Sequence, residues 1–491
     1  MLLSPKLCYK YAFVTFLFFG LQGFMAIGGA LETAFPDMPS PIPFTAGRAF
    51  HLNISIMWPL FGITGIVYYF FSYEAEREIF SLRLIEYNFW LLVLTIIAIL
   101  GSLLLGMNEG IEYLEAYRPL KFGVAGAIGI FFYNLWRTYL HAKAPSSRAT
   151  LVSILAGSFT LLIFFLPNML RHSHPVVEEL FKFWVVHLWE EMSLELIGTG
   201  VLAALLVTLP GIQRKVIEKV LYADIAIMVL TGVLATGHHY YWIGSPSYWI
   251  WVGGAFSTIQ VVPTLLLLYS LAKTVKVRYF YELGLREKVV MAMVSSSMFY
   301  HIFGAGLMGF SMAIPAVNKL IHGTYITSAH SHLAVFGVFG FLVLALSYYI
   351  FFVEIELDKR SYFFSMLGVL LLNAGLLIMA AGLIAAGGLQ HQLWHISGLD
   401  AGQTNPMLFP WLLLRLAGGM VYLGGSSLLT YVIIKKSRRH FALIFPSAKA
   451  LEERYDRLEN IRHELHRLIA AENKAAAVLR KIKGILGKCR D

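Results

Sequence analysis

Cysteine is nearly missing. Among 491 residues there are two, Cys8 and Cys489, one near each end. That excludes a disulfide framework, a CxxC zinc site, a CxxCH covalent haem attachment and a dithiolate copper site. Charge is scarce as well. Only 14% of the residues are Asp, Glu, Lys or Arg against 58% hydrophobic, which excludes a soluble multidomain protein and describes an all-α polytopic membrane protein. The net charge of +10 gathers in short loops and the tail. It therefore reads as topology and not as nucleic-acid binding. The first apolar run, Tyr11–Ala34, is too long for the core of a cleaved signal and reads as a membrane span.

Apolar runs predict twelve spans: Tyr11–Ala34, Phe50–Phe71, Phe89–Leu105, Phe122–Leu140, Leu151–Leu166, Leu180–Leu209, Val220–Ile243, Tyr248–Leu271, Val289–Ala313, Tyr325–Val353, Tyr362–Leu389 and Leu408–Ile434. The linkers are short, so residues 1–440 read as one bundle and residues 441–491 as a separate charged tail. The tail carries Leu451, Tyr455, Leu458, Ile461 and Leu465 at three-four spacing, the pattern of an amphipathic helix on a membrane surface or against a partner. Lys and Arg fall mostly in alternate loops, among them Arg77, Arg83, Arg137, Arg214 and Lys436. The positive-inside rule then puts both termini in the cytoplasm.

With that topology, spans two, six and ten begin at the outer face and span seven ends there. His51 opens span two, His187 sits about two turns into span six, His238 and His239 end span seven, and His330 and His332 lie early in span ten. Six histidines on four helices share one depth, as a metal centre requires and scattered structural histidines do not. His330 and His332 lie about 200° apart on a helix, so each can serve a different partner. Imidazole is a common axial ligand for haem iron. His238 and His239 lie about 100° apart and reach one metal only if it sits between them, with His187 as a third ligand. Glu191 and Glu195 follow His187 at i+4 and i+8, on roughly the same face. Buried carboxylates below a histidine call for a cation or a proton task. Three imidazoles with one carboxylate suit iron better than copper. Asp224 stands alone near the inner start of span seven.

These residues fall in motifs that carry a resemblance: HLNISIMWPLFGITG from His51, VVHLWEEMSLELI from Val185, TGHHYYWIG from Thr236 and HGTYITSAHSHLAVFG from His322. In order and placement the chain resembles the catalytic subunit of bacterial nitric oxide reductase, a member of the haem-copper oxidase superfamily. The resemblance covers the twelve spans. It implies that His51 and His332 bind a low-spin haem b, that His330 is the proximal ligand of a high-spin haem b, and that His187, His238, His239 and Glu191 hold a non-haem iron. Oxygen-reducing relatives carry a tyrosine where this chain has Glu191. In the loop NEGIEYLEAYRP the resemblance makes Glu112 a ligand of a calcium ion bridging haem propionates, and Glu115 part of proton uptake from outside. The family usually has a glutamate on span eight; in FSTIQVVP the matching residue is Gln260, which keeps the hydrogen bonding and loses the proton.

The expected function is therefore reduction of two NO to N2O and water in a bacterial cytoplasmic membrane, a denitrification step of respiratory electron transport. The active site would face outward, with Glu195 as proton relay. Only ten residues precede the first span, so the electron donor is expected to be a separate subunit, a membrane-anchored cytochrome c or another donor. Two other readings stand beside it: an NO dismutase or oxygen reductase on the same scaffold, and a metal-free proton-coupled transporter built on Glu191, Glu195 and Asp224. The sequence assigns no role to His301, His391, His395 or Arg415.

Overall fold

The structure, a computed structural model, describes residues 2–260 except 41 and 210–212, residues 282–457, and residues 262, 265, 266, 460, 461, 464 and 468. The described residues are helical and contain no strand. The first helices are α1 (Ser4–Ala34), α2 (Phe44–Glu74), α3 (Leu82–Leu104), α4 (Arg118–Leu140) and α5 (Arg148–Phe165). Next come α6 (Pro175–Val186) and α7 (Leu194–Thr208), joined by a π-helical turn at His187–Ser193. Then follow α8 (Arg214–Ala235), which runs into a 3-10 turn at Thr236–Tyr240, and α9 (Tyr248–Ile259). The second half holds α10 (Leu285–Tyr300), α11 (Met308–Ala313), α12 (Pro315–Ile321), α13 (Tyr325–His332), α14 (Phe341–Phe351), α15 (Lys359–His391) and α16 (Phe409–Ser437). Three π-helical stretches lie in it, His301–Leu307 between α10 and α11, Leu333–Gly340 between α13 and α14, and Gln392–Ile396 after α15.

Among the described residues, ten helices are long and apolar enough to cross a membrane. The fourth expected span is present as the 23-residue helix α4; Arg118, Lys121 and Arg137 make it more polar than its neighbours. The expected eighth span, Tyr248–Leu271, is described as a helix only to Ile259, and its far end lies outside the described residues. The first span starts earlier than expected, at Ser4 and not at Tyr11. Lys10, which marks the boundary in the sequence, is 1% exposed. Its ammonium is bonded to Glu86 Oε1 at 3.2 Å, so a charge that forbids burial by itself is buried as half of a pair.

Helix starts are set locally. Ser81, Ser147 and Asp358 accept hydrogen bonds from Leu84 N, Thr150 N and Ser361 N and so cap α3, α5 and α15. Packing depends on small residues where no water-driven force separates helix from lipid. On α15 and α16, Gly375 and Gly418 let backbone touch backbone: a Cβ on Gly375 would lie 2.4 Å from Tyr422 N, and one on Gly418 2.4 Å from Met379 N.

The chain forms two compact units, Met1–Phe445 and Pro446–Asp491. In the second, residues 448–457 are helical, and most of the amphipathic helix expected in the tail lies outside the described residues.

Candidate metal centre

Three imidazoles and one carboxylate meet where α6 ends and α8 ends. One ligand atom from each of His187, Glu191, His238 and His239 lies within 4.8 Å of every other. Atoms about 2.1 Å from one shared ion lie at most about 4.2 Å apart, so the set is a few tenths of an ångström from closing on a metal. The His187 ring centre is 5.1 Å from that of His238 and 5.2 Å from that of His239, and the last two are 4.0 Å apart.

Glu191 ties the group together. Its Oε2 lies 3.1 Å from His187 Nδ1 and its Oε1 lies 3.0 Å from His239 Nε2. His187, fully buried, makes a 2.9 Å bond through Nε2 to the Gly232 carbonyl. A carbonyl only accepts, so Nε2 carries the hydrogen and Nδ1 keeps a lone pair for the centre. His238 Nδ1 is buried with no hydrogen-bond partner, as a nitrogen waiting on a metal would be.

Local backbone geometry makes this meeting possible, and it differs from the regular helix expected from sequence. His187–Ser193 is π-helical, and such turns cluster at functional sites. His238 and His239 lie on a 3-10 turn, where successive residues are about 120° apart and not 100°. The turn is pressed against α9 at Gly253: a Cβ there would lie 2.3 Å from His238 N, so no other residue fits.

The other histidines take up two further positions. The rings of His51 and His332 have centres 6.3 Å apart, with planes 28° from parallel. An imidazole nitrogen binds metal at about 2 Å and sits roughly 1 Å from its own ring centre, so two imidazoles on opposite faces of one iron have centres roughly 6 Å apart. His51 and His332 therefore fit a haem iron between them. His332 Nδ1 donates to the Ser328 carbonyl at 2.7 Å and His330 Nδ1 to the Gly304 carbonyl at 2.9 Å. Both bonds leave Nε2 as the free ligand atom. His330 lies within electrostatic reach of His238, His239 and Glu191, so its ring belongs to the same neighbourhood as the cluster.

The remaining expected residues are placed unequally. Glu195 does not join Glu191; its Oε1 lies 3.6 Å from His301 Nε2. The π-helical turn between them has carried the two carboxylates to different partners. Asp224 is not isolated. Thr199 Oγ1 lies 2.7 Å from Asp224 Oδ2, and Asp224 is within electrostatic reach of Glu195. Gln260 makes no bond to the cluster; its Nε2 is buried without a partner. In the loop between α3 and α4, Glu112 is paired with Arg48. Glu115 folds inward, 3% exposed, and its Oε2 accepts from Asn53 Nδ2 at 2.9 Å, two residues beyond His51. Burial pushes the Glu115 carboxyl above its ordinary 4.5 against the bond from Asn53. His301, Thr199 and the Gly304 carbonyl are invisible in the sequence, since each acts through a contact between distant segments.

Comparison with known proteins gives the family. The family model described as cytochrome c and quinol oxidase polypeptide I matches residues 6–421. The chain is 30% identical over 464 residues to a subunit of the nitric oxide reductase of Stutzerimonas stutzeri, covering 89% of this chain and 96% of that protein. It is 23% identical over 459 residues to a cytochrome c oxidase subunit 1 homolog of Agrobacterium tumefaciens (strain T37), covering 86% and 82%. Its fold is similar to that of a haem-copper terminal oxidase dimer solved by cryo-electron microscopy, with a TM-score of 0.71 at 13% identity over 88% of this chain and 84% of that one. The chain therefore belongs to the cytochrome c and quinol oxidase polypeptide I family, as a multi-pass membrane oxidoreductase of the haem-copper oxidase type that takes haem and metal cofactors.

Proposed function

We propose that this chain is the catalytic subunit of a membrane nitric oxide reductase, joining two NO with two electrons and two protons into N2O and water. The observation that carries the reading is the Glu191 carboxylate held between His187 and His239. Hard oxygen in a three-imidazole set favours iron over copper. The relative from Stutzerimonas stutzeri bears the same activity in its name.

In this reading His51 and His332 hold a low-spin haem b, His330 holds a high-spin haem b, and the His187, Glu191, His238 and His239 cluster holds a non-haem iron. These groups supply electron transfer and two neighbouring binding positions for NO, so that N–N coupling becomes a matter of proximity. The protein's part is placement and protons. Gly232, Gly304 and Ser328 fix the tautomers through their carbonyls. Glu195, beside His301 and not bound into the cluster, is free to carry a proton to it. Glu115 lies against the helix that bears His51 and takes up protons at the histidine-bearing face. That face is the outer one in a bacterial cytoplasmic membrane, with both termini inside. Glu112 contributes to a calcium site only by exchanging its pairing with Arg48 for the ion. Electrons come from a separate membrane-anchored cytochrome c or another donor subunit, and the tail helix lies against a partner or the membrane surface.

Anaerobic turnover of the purified protein with NO tests this, following N2O, N2 and O2 together with iron and copper content. N2O as the product and iron beyond the haems are expected. O2 and N2 as products would favour dismutation, a reading that the loss of the span-eight carboxyl at Gln260 keeps in view. Stoichiometric copper would place the chain among oxygen reductases, and a protein without haem would leave the transporter.

A further inference from the structure

On the side of Glu195 away from the histidine cluster lies a second buried acid. Asp224 projects from the middle of α8 and is 1% exposed. Among the described residues no lysine, arginine or histidine pairs with it, and its Oδ1 is buried without a hydrogen-bond partner. A carboxylate ion in that position would be uncompensated at membrane depth, where a charge is costly.

Thr199 is its hydrogen-bond partner. The Thr199 hydroxyl has one hydrogen and three oxygen neighbours: the Glu195 carbonyl at 2.9 Å, the Leu196 carbonyl at 3.3 Å and Asp224 Oδ2 at 2.7 Å. The shortest of the three is to Asp224, where the hydroxyl donates to Oδ2 and anchors it. Oδ1 is left unpartnered, and burial with no counter-charge among the described residues calls for a proton there. Asp224 is then a neutral acid, pinned by Thr199 and aimed into the helix interface that holds Glu195.

Past Asp224 the interface closes. One and two turns further toward the basic end, α8 presents Leu221 and Ile217, while α7 presents Leu202 and Leu206; all four are buried. On α5, Thr150 and Ser153 are buried as well, with the Ser153 hydroxyl donating to the Leu196 carbonyl. Between Asp224 and Glu218 the titratable residues of α8 are Lys219 and Tyr222, both exposed, and α7 has none beyond Glu195, so neither helix offers a buried acid or base on this stretch. Among the described residues Asp224 has one titratable neighbour in electrostatic reach, Glu195.

We propose that Asp224 is a proton store serving Glu195. It holds a proton in the resting protein and yields it to Glu195 once Glu195 has given its own to the metal centre. One proton leaves Asp224 as Glu195 regains one, and no electron moves in that step. The two protons that each N2O requires are thus held in advance by two carboxyls. The store refills through Glu195, since α7 and α8 carry no buried acid or base beyond it. This inference rests on the centre being one that consumes protons.

Redox-difference infrared spectra of the purified, haem-loaded protein in H2O and D2O test it. The parent is expected to show a D2O-sensitive protonated-carboxyl band that responds to reduction of the centre. Asp224→Asn should lose that band, keep the haem spectrum and turn over NO roughly tenfold slower. Asp224→Glu should restore both band and rate. Thr199→Val keeps the acid and removes its anchor, so the band should persist at a shifted frequency. A band that survives in Asp224→Asn, a parental rate in that variant, or an unshifted band in Thr199→Val would each overturn the assignment. If the parent consumes O2 and not NO, the proposed function fails while the infrared arm still decides the role of Asp224.

Discussion

His330 is held by a bond to Gly304, and Gly304 sits inside a π-helical stretch. The 2.9 Å contact from His330 Nδ1 to the Gly304 carbonyl is made across the α10–α13 interface from the segment His301–Leu307. In a π-helix the carbonyls bond five residues on, which leaves one carbonyl per bulge free to serve a partner elsewhere. A Cβ on Gly304 would lie 2.5 Å from Leu333 Cβ, so this close approach admits only glycine. Gly304→Ala should move the segment, weaken the bond and change the high-spin haem spectrum while the low-spin signal survives. Visible and magnetic circular dichroism spectra of the variant decide it.

His51→Ala and His332→Ala should each remove the low-spin signal, because under the proposed assignment each deletes one of two haem ligands. His330→Ala should spare that signal. Identical reduced-minus-oxidised spectra in all three would end the assignment built on the 6.3 Å pairing of His51 with His332.

Removing any one of His187, His238, His239 or Glu191 should lower iron relative to haem and abolish turnover. Glu191→Ala tests the carboxylate most directly, since it takes away both of its contacts at once. Metal analysis per haem is the measurement. Retention of the non-haem metal in all four variants would show that the ion sits elsewhere.

Glu195→Gln should slow turnover about 100-fold or more, the usual worth of a positioned proton donor, with haem spectra unchanged. Gln260→Glu should be tolerated or should raise the rate, since it returns a proton-bearing group to α9's end. Steady-state rates with NO separate these outcomes, and full activity in Glu195→Gln would point to another route.

The pH dependence of stability should carry the mark of Glu115. Burial raises its carboxyl above 4.5 in the folded protein, so the folded state binds the proton more tightly than the unfolded chain. Stability from this group is then present below the unfolded value and is lost as pH rises through the folded one. Thermal unfolding followed upward from about pH 4 should show this decline, and Glu115→Gln should flatten it. A variant that declines as steeply as the parent would show that other groups set the slope.

Much of this site can be read from spacing. Histidines at matching depth on four spans point to the cluster, because the ends of apolar runs report depth directly. Rotation about a helix axis is less legible. The π-helical and 3-10 turns at His187–Ser193 and Thr236–Tyr240 leave the apolar pattern of their spans intact, so nothing in the residues announces the change of pitch. In sequence Glu195 and Asp224 read as a lone relay and a lone acid, since their meeting depends on which faces of α7 and α8 touch. Lys10 sets a false boundary for the first span because its partner, Glu86, belongs to another helix.

The π-helical turn at His187–Ser193 also bears on how such a bundle could change its chemistry. A π turn is an α-helix with one residue too many, absorbed without lengthening the span by more than a fraction of a turn. Deleting a single residue there would leave His187 and the loop before it in place. Glu195 and Thr199 beyond it would keep about the faces they have, and only the residues inside the turn, Glu191 among them, would change the direction in which they point. In this span the carboxylate between the histidines can be turned away by the length of the chain alone, with the acids beyond it left standing.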